Sequence, residues 1–587
     1  MSFIVLEALP YGNMTAQKGS IPVPKVEASF TDPDASRVDT PNGTWFLMGI
    51  ERVDEGSLEM LVATGDAADF CQSHRDALVV FIEHTNGEAR SLQVWRGIFS
   101  GRELFFAVRR TGDVVLSDHF RNVLAALPRS DRMPDERILT AHYLFRKPHG
   151  RMTYSKAITR VSHAEHLVID PRTSEVQWSL FDQVDASPDH RSTEEYVSAI
   201  DASLKGALDR VPEVGSTALM FSGGVDSTLL MTYVPESVRA VTFVPDTPEF
   251  GPETNYARDA ASMLGIGSDE IPYAESDFLE MLETITDMAG TPLFDDATPY
   301  FGNLIREQPY DSFVTGEGGD SAFGISLKLA RISSWFRFPV VREALGAAAP
   351  HVPGQLGYRM RQIVPIAAGF AKSPLSPDGY AGNARTFGDT SLFQSLVDTS
   401  LVEELKMMQL DYVTQRVKLG ANPASVFQSH IEVAHWMILF GNPCLFDRLI
   451  AHACGKRILS PYLDGPVLAE LTRVPVEERY IRGLRAKWIL KDLLARRLPP
   501  YPTNQRKKAT ALPYERFYRA GPLTTIWNDY DVPAIFTGAK RDELVREPST
   551  STWNAITYAI WKQRVAENPD LRPHAAKVTA SFDVIAG

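Results

Sequence analysis

Cysteine is scarce in this sequence, and long apolar runs are missing. The chain holds three cysteines, Cys71, Cys444 and Cys454, and no two of them have CxxC spacing. This argues against a disulfide framework and against a structural zinc site. Apolar runs such as QIVPIAAGFA fall far below the ~20 residues that span a bilayer. The opening MSFIVLEALPYGNMT has no basic leader, and Glu7 interrupts it where a signal peptide stays apolar. We therefore expect a soluble, cytoplasmic protein with no membrane partner.

Positive charge is also in short supply. Lysine and arginine total 60 against 73 aspartates and glutamates, which gives a net charge of −13. An acidic chain of this kind argues against a general nucleic-acid binder. At ~100–200 residues per domain, the 587 residues predict two to four domains.

The first 190 residues contain short strand-like runs separated by turns. Runs such as ALVVFIEH, ELFFAVRR and DVVLSD alternate with TNGE, SGR and RTGD, which predicts an antiparallel, strand-dominated domain. The polar stretch 185–196 is a candidate linker. Ser192 and Glu195 then form a capping-box pattern at the start of a helical period.

Beyond residue 210 the pattern changes to alternating strands and helices. The predicted elements are strands at 217–221, 240–244 and 311–316 and helices at 227–233 and 254–264. Such alternation predicts βαβ crossovers and a doubly wound parallel sheet, whose ligands sit beyond the carboxyl ends of the strands. The remainder of the chain is expected to be mostly helical.

The segment FSGGVDST lies at such a strand end. Gly223 and Gly224 permit close backbone approach to a ligand, and the helix start that follows offers N–H groups to an anion. The hydroxyls of Ser222 and Ser227 can add donors. The carboxylate of Asp226 would repel phosphate unless a Mg²⁺ ion lay between them. The alternative is an ordinary tight turn with Asp226 as a helix cap.

This loop resembles the S-G-G-x-D-S loop of the N-type ATP pyrophosphatases, which split ATP between the α and β phosphates. Three later segments, in order, resemble asparagine synthetases. VTGEGGDSAFG (314–324) is similar to their S-G-E-G-x-D-E-x-F-G segment, and the segment 457–475, with SPYLDG, to their R-x-P-F-L-D segment. RAKWILKDLLARRLPPYPTNQRKKAT (485–510) is similar to their K-x-x-L-(R/K) helix and R-x-K. The resemblance implies an ATP-pyrophosphatase (adenine nucleotide α-hydrolase-like) synthetase domain with a helical extension over 191–587.

Asp226 and Asp320 each follow a predicted parallel strand, so their carboxylates are expected to lie close enough to hold one Mg²⁺. The resemblance implies the same two positions as metal ligands. It also implies that Lys487 contacts phosphate and that Lys508 stabilises the transition state of amide formation. Because Lys507 is adjacent, the alignment leaves open which of these two lysines takes the second role. A solvated basic loop is the alternative for these lysines.

The resemblance places further residues around the substrates. Glu317 would orient or deprotonate an attacking amine. Ser321 departs from the Glu that usually follows the aspartate. Adenine would lie near Phe221, Phe243 and Val244, which are otherwise core residues. Backbone at Thr315 and Gly316 completes the expected ATP site, so ATP and Mg²⁺ are the expected cofactors.

The N-terminal half resembles the amidotransferase half of the glutamine-dependent enzymes. Segments 92–127 and 158–170 carry this similarity, which implies a class II glutamine amidotransferase-like domain over 1–190, folded as a degenerate N-terminal-nucleophile (Ntn) αββα sandwich. A glutaminase of this class needs Cys directly after the initiator Met. This sequence has Ser2 there, and its first cysteine is Cys71. The amine is therefore expected to arrive on a substrate.

Two cyclising groups, the β-lactam synthetases and the lasso-peptide cyclases, resemble asparagine synthetase without that cysteine. Glu317 stands where β-lactam synthetases have Tyr, and residues 321–460 form a long span between GEGGD and PYLDG. Both features favour a peptide cyclase. Segment 325–372 is basic and could hold a peptide, although a helical insertion with a solvated face is equally consistent. Its basic residues are Lys328, Arg331, Arg337, Arg342, Arg359, Arg361 and Lys372.

The expected reaction is macrolactam closure of a leaderless precursor peptide. An Asp or Glu side chain would be adenylated and the N-terminal amine would displace AMP, after release of pyrophosphate. A leader-peptide-binding protein and a leader protease are the implied partners. A β-lactam synthetase or another small-molecule amide ligase is the first alternative. A non-catalytic scaffold subunit is the second.

Overall fold

A computed structural model provides the structure of this chain. It describes residues 24–50, 53–209, 211, 216–248, 250–324, 338–353, 360, 375, 393, 396–419, 426–483, 485–503, 513–546 and 548–584. Within these ranges the chain is a mixed α/β protein. None of the described helices combines the length and the apolar character that crossing a membrane requires.

The strands, in chain order, are β1 Lys25–Phe30, β2 Ser36–Thr40, β3 Gly43–Met48, β4 Leu78–Thr85, β5 Glu88–Arg96, β6 Phe105–Val108, β7 Val114–Ser117, β8 Thr159–Arg160, β9 Glu165–Asp170, β10 Glu175–Leu180, β11 Val184–Asp185, β12 Thr217–Met220, β13 Arg239–Pro245, β14 Ser268–Tyr273, β15 Ser312–Val314, β16 Val417–Lys418, β17 Arg457–Leu459, β18 Ile481–Arg482, β19 Arg485–Ala486 and β20 Val578–Val584.

The α-helices of the described ranges are Glu55–Thr64, Ala67–Ser73, Phe120–Ala125, Glu136–Phe145, Thr193–Leu208, Val225–Met231, Gly251–Leu264, Phe278–Ala289, Thr298–Glu307, Gly319–Phe323, Pro339–Ala348, Thr399–Arg416, Val426–Phe440, Leu445–Ala453, Gly465–Arg473, Val476–Arg479, Trp488–Arg497, Tyr514–Ala520, Ile526–Asp529, Gly538–Arg546 and Thr550–Trp561.

The chain forms two compact units. The first contains residues 1–135, 150–184 and 566–587, and the second contains residues 136–149 and 185–565. The identities expected for domains 1–190 and 191–587, amidotransferase-like and synthetase, remain predictions.

The first unit is built on strands, as its sequence predicts. Pairing runs in the order β2-β3-β4-β5-β20-β1-β7-β6-β8, with β9 on β5 and β10 on β9. Most pairs are antiparallel, whereas β1–β7 and β5–β20 are parallel. The ring centroids of Phe30 in β1 and Phe46 in β3 lie 4.8 Å apart although these strands are not paired. The strands therefore face each other across a shared apolar core, and assignment to the Ntn type remains a prediction.

Beyond residue 316 the described chain is mostly helical, as expected, but it ends in a strand that was not predicted. This strand, β20, pairs antiparallel with β1 over residues 578–583. The physical reason lies in its sequence, VTASFDV, where apolar and polar residues alternate as they do in a half-buried strand.

The second unit contains the predicted parallel sheet. Its order is β14-β13-β12-β15-β17, with all pairs parallel. The chain starts at the central strand β12, adds β13 and β14 on one side, and then adds β15 and β17 on the other. Every residue of β12 and β15 is buried, so both faces of the sheet are covered. The chain reverses direction of winding between β12 and β15, which is where such sheets bind ligands.

The predicted elements of this unit are present with shifted ends. They correspond in chain order to β12, Val225–Met231, β13, Gly251–Leu264 and β15. The capping box is confirmed: the Ser192 hydroxyl accepts from the Glu195 N–H, and the Glu195 carboxylate accepts from the Ser192 N–H at 2.7 Å.

Candidate functional site

Two loops meet at the point where the winding reverses. The loop after β12 leads into helix Val225–Met231, which carries Asp226 in its first turn. The loop after β15 leads into helix Gly319–Phe323, which carries Asp320. The strands β12 and β15 are hydrogen-bonded neighbours, so the two acidic residues reach the same edge of the sheet.

The loop after β12, residues 221–224, is shaped by close packing. Gly223 has a φ of +66°, and a Cβ on it would lie 2.2 Å from the carbonyl oxygen of Tyr256. Only glycine fits this approach without displacing the backbone of helix Gly251–Leu264. The Ser227 hydroxyl lies 3.2 Å from both the N–H and the hydroxyl of Ser222. These two hydroxyls therefore brace the loop internally.

The ammonium of Lys487 lies between the two carboxylates. Its Nζ is 2.6 Å from Oδ2 of Asp226 and 2.7 Å from Oδ1 of Asp320. The side chains of Lys487 and Asp226 are 14% and 22% exposed, whereas Asp320 is 84% exposed. The pair with Asp226 is thus largely shielded from water, and the pair with Asp320 faces it.

Burial lowers the pKa of Lys487, but the charges of Asp226 and Asp320 raise it by more. The net pKa is well above the usual range, so the ammonium keeps its charge. Its backbone adopts the left-handed region, with φ 52° and ψ 35°, directly before helix Trp488–Arg497. A non-glycine residue in this region carries conformational strain, and strain of this kind concentrates at functional sites.

Gly319 explains how Asp226 comes so near the second loop. A Cβ on Gly319 would lie 2.7 Å from Cγ of Asp226. The absence of a side chain at this position therefore admits the carboxylate of Asp226 against the backbone that carries Asp320.

Glu317 lies in the second loop, three residues before Asp320. The residue keeps solvent-accessible surface although many protein atoms lie around it. Removal from bulk water, together with the nearby charges of Asp447, Asp295 and Asp320, raises the pKa of Glu317 to about 8. A carboxylate with such a pKa can take up a proton near neutral pH.

The two aspartates fit a magnesium ion. Carboxylate oxygens are the ligands that Mg²⁺ prefers, and this pair already binds one cation, the Lys487 ammonium. Among the described residues, no group of three or more His, Cys, Asp or Glu side chains is arranged to hold a metal. A metal ion at Asp226 and Asp320 would therefore rely on further oxygen ligands from a bound substrate or water.

The other residues expected around ATP lie on the same edge of the sheet. Phe221 is buried, and its N–H donates to the carbonyl of Val241 at 2.8 Å. Phe243 stacks on Tyr300 with ring centroids 5.7 Å apart and belongs to the aromatic core, while Val244 is half-buried beside it.

Backbone at Thr315 and Gly316 continues the loop after β15. The N–H of Thr315 donates to Leu459 in the neighbouring strand at 2.9 Å, and its hydroxyl accepts from the N–H of Glu317 at 3.1 Å. The Gly316 carbonyl accepts from the N–H of Gly319 at 3.2 Å. These contacts fix the loop that carries Glu317.

Several predicted residues lie outside the described ranges. They are Ser2, Lys507 and Lys508, together with six residues of the basic segment: Lys328, Arg331, Arg337, Arg359, Arg361 and Lys372. The seventh basic residue of that segment, Arg342, lies in a described helix, but its side chain is not described. Their predicted roles stay predictions.

Three further residues, which no sequence motif pointed to, support the site. The hydroxyl of Tyr462 donates to the carbonyl of Asp226 at 2.8 Å, and that of Tyr501 donates to the carbonyl of Gly223 at 2.7 Å. The imidazole of His435 donates to the carbonyl of Ser321.

His435 connects the Asp320 loop to the lysine. Its ring stacks on Tyr480 at 4.2 Å, and the Tyr480 carbonyl accepts from the N–H of Lys487 at 3.2 Å. Tyr462 lies in SPYLDG and Tyr501 in PPYPTN, two segments that the family resemblance covers. The sequence does not indicate, however, which carbonyl each tyrosine contacts.

Comparison with known families gives one assignment. The family model for asparagine synthase matches residues 198–556, which is more than half of the chain and includes every described residue of the site. Comparison with curated proteins finds no match.

Proposed function

The chain belongs to the asparagine synthase family, and from that premise we propose that it closes a macrolactam ring on a leaderless precursor peptide. Its activity in general is ATP-dependent amide-bond formation. The specific proposal is that an Asp or Glu side chain of the peptide attacks the α phosphorus of ATP, which releases pyrophosphate. The N-terminal amine of the same peptide then displaces AMP.

The observation that carries this proposal is the meeting of Asp226, Asp320 and Lys487 at one edge of the sheet. Pyrophosphate leaves with growing negative charge, which fixed cations stabilise. Lys487 is held charged at the site, and the two carboxylates can hold Mg²⁺ against the phosphates. When bound there, Mg²⁺ would neutralise phosphate charge and orient the leaving group.

Glu317 supplies the acid–base chemistry of the second step. An attacking amine must be neutral, and a carboxylate whose pKa is near 8 can accept its proton at working pH. Lys508 is proposed to stabilise the tetrahedral transition state, on the strength of the R-x-K pattern alone. AMP is the leaving group of this step.

The cysteines support independence from glutamine. A glutaminase needs an accessible thiolate. Cys71 and Cys444 are buried, Cys454 is half-buried, and burial raises the pKa of all three thiols. None is suited to attack glutamine, so the amine is proposed to arrive on the substrate.

A peptide is favoured over a small substrate by two features. A glutamate, Glu317, occupies the position where β-lactam synthetases have Tyr, and residues 321–460 form a long span between the two motifs. In this proposal a separate leader protease and a leader-peptide-binding protein deliver the peptide.

The test is a mass measurement on candidate leaderless peptides incubated with enzyme, ATP and Mg²⁺. The expected product has lost one water and resists Edman degradation, because its N-terminus lies in the ring. AMP and pyrophosphate should form in equal amounts.

A matched peptide with Asn or Gln at the acceptor position serves as the control and should not react. Turnover of an amino-acid-derived small molecule but of no peptide would favour a small-molecule amide ligase. Absence of ATP–pyrophosphate exchange with every candidate would favour a scaffold.

A further inference from the structure

One peptide group of the loop 221–224 is held by a residue far along the chain. The hydroxyl of Tyr501 donates to the carbonyl oxygen of Gly223 at 2.7 Å. Tyr501 is 8% exposed. Burial raises its pKa to about 12, so the hydroxyl keeps its proton and remains a donor.

The orientation of this peptide decides where the N–H of Gly224 points. In a planar trans peptide the C=O and the following N–H point in opposite directions. With the Gly223 carbonyl turned towards Tyr501, the Gly224 N–H turns the other way, where the Ser222 hydroxyl lies 3.4 Å from its nitrogen. The Gly224 N–H therefore lies on the side of the loop that carries the Ser222 hydroxyl.

A peptide between two glycines is the easiest kind to reverse, because neither residue has a Cβ to block rotation. If this peptide reversed, the Gly223 carbonyl would face an anion in the loop and repel it. Tyr462 plays a different part, since its partner, the Asp226 carbonyl, belongs to helix Val225–Met231 and is already fixed by the helix.

We infer that Tyr501 is a positioning residue for phosphate: its hydroxyl keeps the Gly223 carbonyl away from the phosphates of ATP and the Gly224 N–H directed towards them. This inference rests on the proposed function, because it assumes that the loop binds phosphates. It adds a residue that acts through the backbone and does not itself touch the substrate.

The test compares Tyr501→Phe with wild type and with Tyr518→Phe. Tyr518 is a matched control, because its hydroxyl also donates to a backbone carbonyl, that of Val545, at 2.7 Å. Dissociation constants are measured by calorimetry for MgATP, for pyrophosphate and for adenosine. Adenosine has no phosphate and reports on the integrity of the rest of the site.

Tyr501→Phe should weaken MgATP and pyrophosphate about tenfold or more, as expected for loss of a directed hydrogen bond to a charged ligand, and leave adenosine unchanged within about twofold. Tyr518→Phe should change none of the three. Equal losses for MgATP and adenosine, or unchanged MgATP binding in Tyr501→Phe, would overturn the inference while leaving the proposed function standing. A wild-type protein that binds neither MgATP nor pyrophosphate would overturn both.

Discussion

Replacing Lys487 with methionine should tighten the binding of a divalent cation in the absence of nucleotide. The lysine ammonium occupies the space between the carboxylates of Asp226 and Asp320, at 2.6 and 2.7 Å. A cation bound to the same oxygens must therefore compete with it. Methionine preserves the apolar stem of the side chain and removes the charge.

The size of the effect follows from the geometry. A metal ion lies about 2.1 Å from a carboxylate oxygen, so an ion on Oδ2 of Asp226 would be within about 4.7 Å of the present position of Nζ. At that distance a dication and an ammonium repel by about 1.8 kcal/mol even at the dielectric constant of water. Since 1.4 kcal/mol is tenfold, the affinity should rise roughly twentyfold.

The assay is titration of Mn²⁺, as a paramagnetic substitute for Mg²⁺, followed by the electron paramagnetic resonance signal of the free ion. Lys487→Arg is the control: it keeps the positive charge and should show no gain. In the same variants, ATP–pyrophosphate exchange should fall for Lys487→Met, because the cation at the phosphates is lost. Unchanged or weaker Mn²⁺ binding in Lys487→Met would refute the idea that the lysine competes with the metal.

Other changes separate chemistry from stability. Glu317→Gln should leave ATP–pyrophosphate exchange within a few-fold of wild type but slow amide formation about 10²–10⁴-fold. In the wild type, the rate of amide formation should rise with pH up to about 8, because Glu317 must be ionised to accept the proton of the amine. Asp320→Asn should abolish exchange with little change in thermal unfolding, because the carboxylate is 84% exposed; a large loss of stability would contradict this. Gly319→Ala should displace the carboxylate of Asp226 and weaken Mn²⁺ binding, whereas Gly206→Ala, where an added Cβ meets nothing within 4 Å, should not.

Local sequence predicts the sheet well. Each predicted strand of the second unit is a short apolar run bounded by turn residues, and burial on both faces of the sheet requires that composition. The ends shift, as with the helix predicted at 227–233 and found at Val225–Met231. The helix begins directly after Gly224, whose extended backbone makes it the N-cap, so Asp226 lies in the first turn.

The meeting of Asp226 and Asp320 could be predicted because parallel strands end at a common edge. The position of Lys487 between them could not. Only the family resemblance connects this lysine with phosphate, and lysine has no intrinsic preference for the left-handed backbone that it adopts. The N–H of Lys487 donates to the carbonyl of Tyr480, and the Tyr480 ring stacks on His435, which lies far from Lys487 in the chain and bonds to the carbonyl of Ser321.

The supporting tyrosines illustrate a further limit. Tyr462 and Tyr501 bond to carbonyls that precede them by 236 and 278 residues. A tyrosine in SPYLDG or PPYPTN reads as an ordinary core residue, since nothing local indicates which carbonyl it will meet. In contrast, the alternation of apolar and polar residues in β20 is a local strand signal, although the segment was not predicted as a strand, and its pairing with β1 is again non-local.

These contacts divide the site into two parts with different physical roles. The sheet edge supplies the carboxylates and the loop backbone, which are fixed by burial of β12 and β15. The later chain, residues 462–501, supplies the Lys487 ammonium, which balances the charge of the carboxylates, and the Tyr501 hydroxyl, which orients the peptide after Gly223. Changes in the later chain should therefore alter affinity for metal and phosphate without unfolding the sheet. Within the later chain, the two substitutions are expected to act in opposite directions. Lys487→Met removes a charge that repels the metal and should tighten metal binding, whereas Tyr501→Phe removes a donor that orients the loop peptide and should weaken phosphate binding.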